Sequence, residues 1–394
     1  MTKPKALNRR DFLKSAVALG AGYLLNACSR IVKPVQEEGS SMDAASPLRL
    51  YVGTYTFENA IGIYRFHFDP AAGSLADAGP ALESANPSFL ALHPNGQYLY
   101  AVNEQGEPGG GVSALGIDPQ SGALSLINEQ PSHGTLPCHL SIDATGRWLF
   151  VANYGSGSLA VYPIQDGGSL GEASDVIQHE GHGPDQGRQE GPHAHAIYVT
   201  PDNRYVLACD LGIDKVMIYR LDREQGKLLP HGEAVLQPGA GPRHLDFHPN
   251  GKYVYVINEL DSTLAVFAYD AEAGRLSALQ TLSTLPEDYT GPKSAAEIMV
   301  HPSGRFIYAS NRGQSNSIAI FAVEETSGKL ALVGHVSSQG QNPRHFTIDP
   351  SGKYLLAANQ DSDSIVTFAL DLGTGHLSEL SSTEIPWPVC LKFA

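Results

Sequence analysis

Residues 248–259 read "HPNGKYVYVINE", and near-copies recur as "HPNGQYLYAVNE" from 93, "DATGRWLFVANY" from 143, "TPDNRYVLACDL" from 200, "HPSGRFIYASNR" from 301 and "DPSGKYLLAANQ" from 349. A truncated copy, "LRLYVGTYT", spans 48–56. Each full copy is a turn followed by a short β-branched and aromatic run, which is the signature of a strand leaving a reverse turn. The marker residues Gly53, Asn103, Asn153, Asp210, Asn258, Asn311 and Asn359 lie 50, 50, 57, 48, 53 and 48 residues apart. A period near fifty means stacked supersecondary units.

The order inside each unit is constant. A run such as "RHLDF" precedes the turn, "YVYVIN" follows it, then come "STLAVFAYD", a G-x-L turn and "LSALQTLST". These are four short strands, the second apolar on both faces as expected of a sheet sandwiched between two others. No helical periodicity is evident after residue 48. The fold class is therefore all-β, a seven-bladed β-propeller with four-stranded blades over 48–394. The first copy lacks its opening strand, and "WPVCLKFA" (387–394) aligns with "GPRHLDF" and "NPRHFTI". The two ends are expected to share one blade and close the ring, leaving no exposed sheet edge.

Composition narrows the function classes. The 394 residues carry a net charge of −15, which removal of the first 27 residues, with five Lys/Arg and one Asp, would take to −19. That balance argues against nucleic acid or an anionic membrane surface as partner. The N-terminus carries "NRRDFLK" (8–14) and the uncharged "SAVALGAGYLLNA" (15–27), an apolar stretch too short to span a bilayer. It resembles a twin-arginine export signal ending in a lipobox-like "LNAC", so Cys28 is the expected lipidation site and the only expected membrane contact. A soluble exported protein cleaved nearby is the alternative. Residues 28–47 read as a flexible tether, and the location expected is periplasmic or cell-envelope. Cys138, Cys209 and Cys390 form no C-x-x-C pair and are expected to be buried hydrophobes.

Inner and second strands of a blade run antiparallel, so the start of the first and the end of the second lie at one mouth of the ring. The pairs opening the first strands are Ser88–Phe89, Cys138–His139, His195–Ala196, Arg243–His244, Ala296–Glu297, Arg344–His345 and Val389–Cys390. The second strands end at Glu104, Tyr154, Asp210, Glu259, Arg312 and Gln360. Letters repeat where they pack and differ where each blade contributes a group to a shared pocket. An arginine-rich funnel in an acidic protein suits a small anionic ligand, because the guanidinium fork matches carboxylate or phosphate. The insertion "HEGHGPDQGRQEGPHAH" (179–195) adds Arg188, Glu190 and His193. His139, Arg188, His193, His244, Glu297, Arg344 and His345 are the expected substrate-binding residues. No finger or metalloprotease spacing is present, so neither metal nor cofactor is expected, and a monomer is.

The motifs "LPCHLSID", "VANYGSGS", "RQEGPHAH", "GAGPRHLDFHPNG", "INELDSTL", "SAAEI", "SNRG" and "NPRHFTIDPSG" resemble the seven-bladed propeller lactonase family. That family includes bacterial 6-phosphogluconolactonases and the fungal carboxy-cis,cis-muconate cyclase. The resemblance implies a catalytic set of His195 (or His193), Arg243, Glu259 and Arg312. It implies a hydrolase opening a sugar-acid lactone, with Glu259 or a histidine it orients as base and the arginines holding the oxyanion. A muconate-type cycloisomerase and a non-catalytic ligand-binding propeller are the alternatives.

Overall fold

The computed structural model describes residues 48–394, so the export signal, Cys28 and the tether lie outside the described residues. The described chain forms seven four-stranded antiparallel sheets. Blade 1 combines Leu48–Thr54, Gly62–Asp69 and Ser74–Glu83 with Pro388–Phe393 as its inner strand. Blades 2 to 7 have their inner strands at Leu90–Leu92, Pro137–Ile142, Ala194–Val199, Pro242–Phe247, Ala295–Val300 and Pro343–Ile348. The closing pair aligns Val52 with Leu391 and Gly53 with Cys390.

The repeated letters are explained by bonds between neighbouring blades. The turn glycine of H-P-x-G adopts a left-handed backbone, as at Gly96, Gly251 and Gly304, and Asn203 takes that position in "TPDN". The turn histidine reaches the next blade: Nε2 of His93, His248 and His301 lies 2.9, 2.9 and 2.8 Å from the carbonyls of Gly146, Gly304 and Gly352. Second-strand tyrosines do the same, with the Tyr100, Tyr255 and Tyr308 hydroxyls donating to Gly168, Gly328 and Gly375 carbonyls. The marker asparagines anchor the strap that enters each blade, as Asn153 donates to the Ser132 carbonyl and Asn359 to that of Ser338. Among the described residues the three cysteines, Cys138, Cys209 and Cys390, are free and buried.

The channel is filled partway down. His139, His244 and His345 gather around Phe89, with ring centroids 4.2, 5.9 and 5.9 Å from it. Glu297 lies 3.0 Å from His244 Nδ1 and 3.5 Å from His345 Nε2, and accepts from the Ile298 amide. These four residues were expected to bind substrate at the mouth. They sit one residue deeper along the inner strands and face one another instead, forming a plug. A small void of about 10 Å³ lies where the plug meets Ser88, Cys138, Arg243 and Arg344. Below the plug opens a separate chamber of about 390 Å³.

Two predictions follow from this architecture. Deleting residues 387–394 removes Val389, Cys390 and Leu391, all at most 2 % exposed, and should cost about 5 kcal/mol of burial alone. A truncated protein melting with the full-length one would contradict closure. The second concerns acid. Burial, reinforced by neighbouring cationic groups, holds His139 and His244 well below their usual range, while burial, partly offset by Glu297, holds His345 at about 3. At these three sites the unfolded chain binds more protons below pH 6.5, so they lower stability as pH drops from 6.5 toward 3, by at most about 1.4 kcal/mol per unit per histidine, while burial raises the Asp246 carboxyl to about 7 and the Glu297 carboxyl above its usual range, which offsets part of the slope. Thermal melts across this window should show the slope, and His244→Gln should flatten it.

Candidate active site at the arginine mouth

The inner strands open with a bulge. Register shifts fall between Pro137 and His139, Ala194 and Ala196, Pro242 and His244, and Pro343 and His345. The skipped residues are Cys138, His195, Arg243 and Arg344. A bulged residue leaves the ladder and is re-aimed, which is how one column of the repeat comes to supply the mouth.

Glu259 is the hub. It follows blade 5's second strand, Tyr253–Asn258, and is 5 % exposed. Its Oε2 lies 2.8 Å from Arg312 Nη2 and 3.2 Å from Arg243 Nε, and its Oε1 accepts from Arg188 Nη2 at 2.6 Å. The Arg243 contact is close but poorly aligned, since its Nε lacks a well-directed acceptor. Arg243 Nη1 also donates to the Ala296 carbonyl at 2.6 Å, and Arg312 Nη2 to that of Ala295 at 3.2 Å. Burial pushes the Glu259 carboxyl up, but Arg312, Arg243 and Arg188 together outweigh it and hold the pKa at about 2. Burial and the repulsion of Arg344 and Arg312 bring Arg243 down to about 10. An anion so firmly held is a poor proton acceptor; it neutralises and orients the guanidiniums.

Arg344 differs from the other three. Among the described residues it makes no ion pair, and its guanidinium lies 5.3 Å over the Tyr55 ring. The Tyr55 hydroxyl donates to both Glu104 oxygens at 3.0 and 2.9 Å, and the Ser88 hydroxyl also donates to Glu104. The mouth thus carries four arginines against three carboxylates, Glu259, Glu104 and Glu190.

The two histidines of "PHAH" are distinguished by their bonds. His195 Nε2 is 4.0 Å from Glu259, and burial with nearby Arg243 depresses its pKa well below the usual range, so the ring is neutral. His193 Nδ1 lies 2.9 Å from the Tyr154 carbonyl, an acceptor only, which fixes the proton on Nδ1. Its Nε2 lies 3.4 Å from Glu190, and the ring stacks on Tyr154 at 4.6 Å. The backbone is placed by Asp210, whose Oδ1 accepts from the His193 amide at 2.8 Å while Oδ2 meets His179 Nδ1 at 2.6 Å. Asp210 therefore belongs to the marker column and anchors a strap; the residue matching Glu259 in blade 4 is Leu211, within a 3-10 turn.

Of the expected site residues, the structure brings together Arg188, His193, His195, Arg243, Glu259, Arg312 and Arg344, and sets His139, His244, Glu297 and His345 beneath them. Tyr55 and its aromatic neighbours Phe57 and Trp387 were not expected. Their clue was the unpaired "TYTF" after the truncated first copy, which sequence alone gave no reason to place beside Arg344.

A family model described as "Lactonase, 7-bladed beta-propeller" matches residues 49–393. A 6-phosphogluconolactonase of Bacillus subtilis is 42% identical over 344 residues, 87% of this chain and 97% of the relative. A 6-phosphogluconolactonase of Formosa agariphila is 38% identical over 337 residues, 84% and 95% of the two chains. The solved periplasmic gluconolactonase of Pseudomonas aeruginosa superposes with a TM-score of 0.84 at 37% identity, covering 88% and 99%. Closed ring, arginine mouth and relatives matched over almost their whole length agree: this chain belongs to the seven-bladed β-propeller lactonase family.

Proposed function

We propose that the protein hydrolyses a sugar-acid lactone at the arginine mouth. The observation that carries this reading is an excess of guanidinium charge beside His193 and His195 in a lactonase-family propeller. Opening a lactone needs a base to activate water and fixed positive charge for the oxyanion that forms on the carbonyl. His193 is the better base of the two: its Nδ1 proton is committed to the Tyr154 carbonyl, so Nε2 is the atom that takes a proton, and Glu190, 3.4 Å away, stabilises that proton once taken. His195, held neutral, accepts a hydrogen bond from water or a substrate hydroxyl. This exchanges the roles that the motif resemblance assigned. Arg243 and Arg312 meet the oxyanion with the donors that Glu259 and the backbone leave uncommitted, and Glu259 acts by positioning them.

The substrate follows from the same accounting of partners. Among the described residues, Arg344 is the mouth arginine without an ion pair, beside a Glu104 carboxylate able to accept from hydroxyls. That set suits a polyhydroxy aldonolactone better than a phosphorylated one, whose dianion would meet Glu104. The export signal, Cys28 anchor and cell-envelope location read from the N-terminus support this, as does the likeness to a periplasmic gluconolactonase. The domain division follows the same reading, with residues 1–27 as signal, 28–47 as tether and 48–394 as a monomeric catalytic propeller.

Acid release on a panel of aldonolactones, with and without 6-phosphate, tests the activity. His193→Gln should lower kcat by roughly 10²-fold or more and His195→Gln by less; the reverse order would return the base to His195. Glu259→Gln should lower kcat by roughly tenfold to a hundredfold through loosened arginines and leave the acid limb of the pH–rate profile in place. Loss of that limb would make Glu259 the base.

A further inference from the structure

We infer that the rim beside Arg344 is a second sugar subsite, so that the preferred substrates are lactones carrying a further sugar ring, of the disaccharide aldonolactone class. This deepens the lactone reading and rests on it for the chemistry, though not for the binding. Three aromatic rings run outward from the site: Tyr55 under Arg344, Phe57 at 5.7 Å from Tyr55, and Trp387 at 5.3 Å from Phe57. A contact that served only closure would bury its rings, yet half of Phe57 is exposed.

The backbone adds an independent sign. In five blades the residue before the inner-strand proline is left-handed: Asn86, Leu136, Gly241, Asn342 and Trp387. Glycine or asparagine takes this conformation readily, whereas leucine at 136 and tryptophan at 387, φ 47°, adopt it under strain. Asp363 holds it there by accepting from the Trp387 amide at 2.9 Å, and the Trp387 carbonyl accepts from the Tyr55 amide at 3.2 Å. The fold thus fixes a large ring on the rim where a small residue would relieve strain.

The chemistry points to a sugar. A pyranose offers C–H groups on its faces, which pack against the electron-rich face of an aromatic ring, and hydroxyls around its edge. Glu104, already accepting from Tyr55 and Ser88, provides an edge acceptor at the base of the aromatic row. With the lactone ring at the arginines, a glycosidic neighbour would extend along this row.

The chain has two tryptophans. Trp148 is 7 % exposed with its Nε1 donating to the Arg223 carbonyl, so binding at the rim should be read from Trp387 fluorescence. Titration of the full chain with cellobionate and gluconate needs no turnover and is therefore separate from the activity. The disaccharide acid should perturb Trp387 and bind roughly tenfold more tightly than gluconate, the worth of one aromatic contact. Phe57→Ala should remove that preference while leaving gluconolactone turnover unchanged. Trp387→Gly, compatible with the left-handed backbone, should abolish the signal and raise KM for cellobionolactone without lowering the melting temperature. Equal affinity for the two acids, or equal loss of both lactone activities in Phe57→Ala, would overturn the subsite. A protein that turns over no lactone but prefers cellobionate would leave the subsite standing and refute the hydrolase.

Discussion

The pairing of Pro388–Phe393 with Leu48–Thr54 is the constraint on which the ring depends. Six blades follow one another with short straps, but a propeller of six and three-quarter blades would leave an open strand edge and an unfilled wedge. The last strand fills that wedge from the other end of the chain. It also sets the site, because it packs the first blade against the seventh, a seam completed by Phe68 and Ala71 against Tyr354. Tyr55 then lies under Arg344, and Trp387 lies at the side of Tyr55. The mouth is thus assembled from both termini as well as from the middle of the sequence.

The bulges convert that ring into a site. An inner strand in perfect register would alternate its side chains between two neighbouring blades. The skipped residue after each opening position is released from this alternation, so Cys138, His195, Arg243 and Arg344 converge. Their partners determine what each can do. Four cations in a small volume repel, and Glu259 offsets three of them at close range. A buried ion cluster of this kind is costly to desolvate and strongly destabilised by loss of one member, by about 3–5 kcal/mol. Its value in the function proposed above is orientation: guanidiniums held by a carboxylate and by the Ala295 and Ala296 carbonyls would meet a developing oxyanion without rearranging.

The fold was legible because the turns repeat, and a turn letter has a local meaning. H-P-x-G needs its left-handed glycine whatever the rest of the chain does. The strap-anchoring asparagines and the shared first blade could likewise be read from spacing. Depth in the channel could not. Arg243 and His244 are adjacent letters of one motif, and only the bulge decides that the first reaches the mouth and the second the plug. Asp210 looked like a mouth residue because the blade-4 copy ends in "CDL", where its carboxylate instead anchors His193. Nor could spacing say which arginine stays unpaired, since that depends on the reach of Arg188 from the 179–193 insertion to Glu259.

The plug gives these differences a functional consequence. Phe89, His139, His244, His345 and Glu297 pack across the channel. In the function proposed above, a sugar lactone would enter and leave by the arginine mouth. Selectivity then rests on whatever stands around that mouth, which is the part of the chain outside the repeat: the insertion with Arg188 and His193, and the loop after the truncated first copy with Tyr55 and Phe57. The repeated letters build a rigid cup that is closed at its base. The irregular stretches decide what fits into it, which is why the same scaffold can carry relatives that differ in the lactone they open.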